Sequence, residues 1–133
     1  LRIRPFKKED LDGLDAIEGP EMFTDELKQA IEDSGLAATG IKNGKVMGCG
    51  GLHPTDMEHA VLWARLSKDC KNHRIESVRF MKAGLEVLES SFSFKQIDAI
   101  VKCGFKEGLR LVRFLGFTHT QIVDGWNIYS KRI

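Results

Sequence analysis

The chain has 133 residues, with 20 Lys and Arg against 19 Asp and Glu, for a net charge of +1 at neutral pH. That length suits one domain spanning 1–133, large enough to bury a core without disulfides, and the balanced charge gives no field to steer it toward nucleic acid or an anionic membrane. Three cysteines, Cys49, Cys70 and Cys103, are odd in number and lack a CxxC pair, which argues against a zinc or redox-dithiol site and for a reducing compartment. Leu1-Arg2-Ile3-Arg4 is not an apolar leader, and no apolar run approaches the roughly 18 residues that span a bilayer, so a soluble, cytoplasmic protein is expected.

In chain order, Leu1 and Ile3 alternate with Arg2 and Arg4, a short strand ended by Pro5. A helix is predicted over Lys8 to Ile17, with Leu11, Leu14 and Ile17 on one face and Gly19-Pro20 as its stop. Thr24 is placed to cap a second helix whose Leu27, Ala30 and Ile31 share a face, closed by Ser34-Gly35. Leu36 to Lys42 and Lys45 to Leu52 flank Asn43-Gly44, the dipeptide that best tolerates positive φ at both centres of a hairpin turn. Gly48-Cys49-Gly50-Gly51 lies inside this second strand, where it reads as a bulge or a flexible strand end and not as a phosphate loop.

Ala60 to Leu66 is almost wholly apolar, which predicts a central strand covered on both faces. Ile75, Val78, Met81, Leu85, Leu88 and Phe92 then recur at three- and four-residue steps, opposite Glu76, Arg79, Lys82, Glu86 and Glu89, and make the longest helix. A strand over Gln96 to Lys102, a helix near Lys106 to Leu115 ended by Gly116, and a terminal alternation reaching Trp126 to Tyr129 complete the order β-α-α-β-β-β-α-β-α-β-β. The strand, long helix, strand unit over residues 60 to 102 calls for a right-handed crossover and parallel neighbours, so the sheet is expected to be mixed.

This order resembles the GNAT superfamily of acetyl-CoA-dependent N-acetyltransferases over essentially the whole chain. Four stretches carry the likeness: Leu1 to Pro5 with Glu9-Asp10-Leu11, Asn43 to Gly48, residues 60 to 92, and Gly108 to Phe117 with its closing Gly116-Phe117. The resemblance implies an α+β (α/β) fold with a central mixed, mostly antiparallel sheet of about seven strands and helices on both faces. It also implies a splay between the fourth and fifth strands that takes the pantetheine arm of acetyl-CoA, and an amine, small-molecule or peptide, as acceptor.

Two departures from the family pattern stand out. The family holds pyrophosphate on a Gln/Arg-x-x-Gly-x-Gly/Ala loop, where backbone N–H groups at a helix N-terminus meet the phosphates; here the run is Lys71-Asn72-His73-Arg74-Ile75-Glu76, with side chains at both glycine positions. The resemblance therefore assigns cofactor binding to Leu66, Lys68, Lys71, Asn72, His73 and Arg74, with cations replacing amides. In the closing helix the family's tyrosine acid falls on Val112, which cannot donate a proton, and its asparagine falls on Phe105. Glu58 and His59, at the start of the fourth strand, and His53, at the end of the third, are the candidate bases.

Each of these residues also has a plain reading. The basic loop serves equally as a solvated helix start, His53 and His59 as surface histidines, Cys103 as a small buried hydrophobe, and Trp63 and Trp126 as sheet-packing aromatics. A closer likeness is to small GNAT-like proteins of some short-tailed bacteriophages, described as internal virion or assembly proteins. It rests on Leu62-Trp63-Ala64, the basic loop and Leu109 to Gly116. It implies a non-catalytic protein, in host cytoplasm or virion, that keeps the scaffold and binds a protein partner or a second copy of itself.

Overall fold

The computed structural model of the chain describes residues 2–12, 14, 24–102 and 106–133. Among these, seven strands and three α-helices follow as β1 (Arg2–Pro5), α1 (Asp25–Ser34), β2 (Ala37–Lys42), β3 (Lys45–Pro54), β4 (His59–Leu66), α2 (Arg74–Ser91), β5 (Gln96–Lys102), α3 (Lys106–Phe114), β6 (Thr118–Val123) and β7 (Trp126–Arg132). The strands form one sheet in the order β1-β2-β3-β4-β5-β7-β6. It is mixed, as expected: β4 and β5 run parallel across the α2 crossover, while β1–β2, β2–β3, β5–β7 and β6–β7 are antiparallel. The chain divides into two compact units, Leu1–Gly51 with Ala64–Leu88, and Leu52–Trp63 with Glu89–Ile133.

In the first unit the predicted first helix is, as far as described, a single 3₁₀ turn over Lys8–Leu11; Ile17 and Gly19-Pro20 lie outside the described residues. Its purpose is visible in Asp10, a buried carboxylate that accepts from both Arg4 Nη atoms (2.7 and 2.6 Å), the Lys7 N–H (2.8 Å) and Thr39 Oγ1 (2.6 Å). Burial alone would raise this carboxyl, but the hydrogen bonds from Arg4, Thr39 and Lys7 outweigh it and hold it below the usual aspartate value. Helix α1 is capped as predicted, by Thr24 Oγ1 accepting from Leu27 N and by Gly35 at φ 70°, yet none of its residues is buried and Ala30 is exposed.

Asn43 (φ 52°) and Gly44 (φ 76°) make the predicted hairpin turn. The bulge falls at Met47: Gly40 pairs with Gly48 while Ile41 pairs with Val46. Gly48 to Gly51 themselves keep regular register, so neither a bulge nor a loose end is found there. At Gly51 a Cβ would lie 2.2 Å from the Leu36 carbonyl oxygen, so glycine is what lets β2 and β3 approach.

In the second unit β5 lies between β4 and β7 and its two faces differ sharply. Ile97, Ala99 and Val101 are buried with Tyr129 of β7, whereas Ile100, pointing the other way, is 51% exposed. Helix α3 closes on Gly116 (φ 95°), with Phe117 N donating to Val112 O. Lys131 Nζ of β7 donates to Leu115 O (3.1 Å) and pairs with Glu89 (2.9 Å), tying the end of α3 to the sheet. Asp124-Gly125, both at positive φ, turns β6 into β7.

Two expectations about burial fail. In β4 only Ala60 is buried, and Ala64 is exposed, because an apolar run marks a strand's place in the sheet but not the layers over its two faces. In α2 the stripe is buried at Leu85, yet Ile75, in the first turn, and Phe92, just past the last residue, are exposed.

Candidate functional site

The first cluster lies in the first unit, where β4 gives way to α2. Ser67, buried, donates its N–H to Met47 O (2.8 Å), and its Oγ accepts from Asp69 N (3.2 Å), which starts a 3₁₀ turn over Lys68–Asn72. Cys70 Sγ donates to the same Met47 oxygen (3.2 Å), so the bulge in β3 is what anchors the loop. Helix α2 begins as Ser77 N reaches His73 O (2.9 Å). The chain makes this strand-to-helix turn without glycine because the Ser67 N–H and the Cys70 thiol bond to Met47 O of β3 and the Ser67 hydroxyl holds Asp69 N.

Among the predicted cofactor residues, Lys68, Asn72 and Arg74 are exposed and His73 is half-buried; the Lys71 side chain lies outside what the structure describes. Leu66 turns toward β3, where its Cδ2 would be 3.0 Å from a Cβ at Gly48. Sequence reasoning missed the two lysines flanking the Asn43-Gly44 turn. Lys42 Nζ donates to Glu76 Oε2 (2.6 Å) and to His73 Nδ1 (3.2 Å), and Lys45 Nζ pairs with Asp69 Oδ2. Those bonds hold the Glu76 and Asp69 carboxyls below their usual range. The signal available in advance was topological: a hairpin whose second strand neighbours β4 brings its turn to the end of β4.

The second cluster lies in the second unit at the head of β4. Asp56 Oδ1 accepts from Glu58 N (2.7 Å) and His59 N (2.8 Å), a side-chain turn that starts the strand. His59 Nδ1 lies 2.9 Å from each Asp56 carboxylate oxygen. A carboxylate can only accept, so Nδ1 is the donor in this contact, and in the neutral ring Nε2 is the nitrogen left to accept. Hydrogen bonds from Glu58 N and then from His59 hold the Asp56 carboxyl low. The sequence alone named no carboxylate to orient this histidine; Asp56, three residues earlier, is that group. Glu58 instead pairs with Lys95 Nζ (3.0 Å), and its carbonyl accepts from Lys95 N and Gln96 N. His53 is exposed.

Val112, at the place where the GNAT pattern has its tyrosine acid, is 5% exposed and packed in the core. Tyr129 is buried against His119, ring centroids 5.1 Å apart. Cys103 and Phe105 lie outside the described residues. Cys49 is buried beside Thr39, and desolvation pushes its thiol up to about 11, which keeps it unreactive. Among the described residues no three His, Cys, Asp or Glu side chains gather as a metal-binding group, and no helix is long and apolar enough to cross a membrane.

The fold is that of the GNAT acetyltransferases. The chain superposes on the GNAT-family acetyltransferase from Streptococcus pneumoniae with a TM-score of 0.77 at 14% identity, covering 99% of each chain. It matches the ribosomal-protein-alanine N-acetyltransferase from Brucella melitensis with a TM-score of 0.74 at 14% identity over 100% of both chains. It also matches Ard1 from Thermoplasma volcanium, with a TM-score of 0.74 at 17% identity over 97% and 93%. No family model and no curated protein matches the sequence.

Proposed function

We propose that the protein is an N-acyltransferase that moves an acetyl group from acetyl-CoA to an amine. The observation that carries this reading is the Asp56–His59 pair at the head of β4, on a fold that acetyltransferases share along the full length of the chain. His59 Nε2 takes a proton from the acceptor ammonium, directly or through one water, while Asp56 fixes the ring and stabilises the imidazolium. The amine nitrogen bonds to the thioester carbonyl carbon and gives its second proton to solvent, the C–S bond breaks, and the sulfur leaves as thiolate. With Val112 in the acid's place, solvent protonates that thiolate, and the reaction is slow by about 10²- to 10⁴-fold.

The donor set of the β4–α2 loop fits the phosphates of acetyl-CoA in charge: Lys42, Lys45, Lys68 and Arg74 outnumber Asp69 and Glu76. Side-chain ammonium and guanidinium groups here do the work of glycine-loop amides, with greater loss of side-chain entropy. One observation favours a second reading, a non-catalytic interaction protein of the phage-virion kind on the same scaffold: Glu76, at the second glycine position, already engages Lys42. Thiol release from acetyl-CoA over a panel of amines separates the two. Turnover that falls at least 100-fold in His59→Gln supports the first reading; no release with any amine, together with a protein captured from cells, supports the second.

A further inference from the structure

The pairing registers sort the strands of the second unit onto two faces. Ala60, Ile97, Ala99, Val101 and Tyr129 share the buried face. The opposite face carries His59 beside Gln96, Val61 beside Asp98, Asp98 beside Ser130, and Ile100 beside Ile128, none of them buried. An isoleucine 51% exposed in the middle of a sheet is a poor solvent residue, and Trp126, 44% exposed, lies on the same face.

On that face Asp98 is built for a ligand. Ser130 Oγ (2.6 Å) and Gln96 Nε2 (2.9 Å) both donate to its Oδ1. These bonds fix the carboxylate's rotamer, and no described hydrogen bond uses Oδ2. Asp98 stands two residues along β5 from the Gln96 that pairs with His59, on the same face, which puts the Cα atoms of His59 and Asp98 about 8 Å apart.

We propose that Asp98 anchors a second positive charge on the acceptor, so that the substrate is a diamine whose one nitrogen meets His59 and whose other stays an ammonium on Asp98. This inference rests on the acyltransferase reading and narrows its substrate. The two nitrogens have different needs. The reacting one must lose its proton, which the Asp56–His59 pair accepts; the anchored one keeps its proton and pairs with a carboxylate that Ser130 and Gln96 hold in place. The methylenes between them lie over Val61, which pairs with Asp98 and follows His59 by two residues on the same face.

The test is calorimetric titration with 1,5-diaminopentane and with n-hexylamine, each in the presence and absence of CoA, on the full chain and on Asp98→Asn and Ser130→Ala. The expected result is that the diamine binds about tenfold or more tighter than hexylamine, that Asp98→Asn abolishes the difference, and that Ser130→Ala reduces it, all with unchanged thermal midpoints. Equal binding of the two amines by the wild type, or a diamine preference that survives Asp98→Asn, overturns the proposal. Diamine binding without any binding of acetyl-CoA leaves the Asp98 site standing and removes the acyltransferase reading; acetyl-CoA binding without a diamine preference does the reverse.

Discussion

Replacing Asp10 by alanine removes a carboxylate that is 6% exposed and accepts four hydrogen bonds, two of them from one guanidinium. Breaking a buried ion pair by deleting one partner costs about 3–5 kcal/mol, because the other partner is left uncompensated. Arg4 retains access to water, its side chain being 26% exposed, whereas Thr39 is fully buried and keeps only the weaker acceptor Cys49 Sγ, 3.6 Å away, for its hydroxyl proton. The lower end of the range, about 3 kcal/mol, is therefore expected. For a chain of this size that corresponds to a fall of about 12 °C in Tm. Urea titration followed by circular dichroism measures it, with Thr39→Val as the milder companion at about 1 kcal/mol. The sign of the pH dependence follows from the depressed Asp10 carboxyl. A group whose folded-state value is lowered contributes stability above its unfolded value of about 3.9 and loses it as pH falls through the folded value. The gap between wild type and Asp10→Ala should be full at pH 7 and narrow as pH drops below about 4. A loss under about 1 kcal/mol at pH 7, or a gap that does not change with acid, refutes the reasoning.

Gly51→Ala drives a Cβ into the backbone of Leu36 and Ala37, which cannot yield cheaply, so urea unfolding should register a loss of about 3 kcal/mol. Gly44→Ala meets nothing within 4 Å, and its φ of 76° alone should cost about 1 kcal/mol in the same assay. Glu76→Gln removes a carboxylate from the start of α2 and frees Lys42, so acetyl-CoA should bind about three- to tenfold tighter, and Lys42→Ala should bind it more weakly. If neither changes the affinity, the phosphates lie elsewhere. Asp56→Asn leaves His59 without its carboxylate and should lower the acetylation rate about 100-fold with little change in stability.

What could be read in advance was what local chemistry decides. Asn43-Gly44, Thr24, Gly35 and Gly116 each do in the structure what their backbone freedom or side-chain oxygen suggests, and the period of α2 places that helix to within a residue at each end. What depends on neighbouring layers was not legible. The apolar run of β4 fixed its place in the sheet but said nothing of the half-open face that carries His59, Val61 and Trp63. The candidate site divides in the same way. His59 and His73 were named as candidates from their place in chain order, while Asp56 and Lys42, which the structure sets against them, and Lys45 were not. Asp56 acts through a turn of its own side chain, and the two lysines act across strand pairings that a single segment does not reveal. The absence of glycine between Leu66 and Glu76 pointed to a loop lacking backbone cradles. The structure adds the reason the loop still turns: Ser67 and Cys70 tie it to Met47.

The central claim, that cationic side chains have replaced the glycine loop and still hold acetyl-CoA, is tested most directly by isothermal titration of the full chain with acetyl-CoA and with free CoA. The account predicts saturable binding of both, with a Kd on the order of 10 μM, weakened in Lys42→Ala. The absence of heat up to millimolar ligand would contradict it and leave a scaffold that has lost its cofactor.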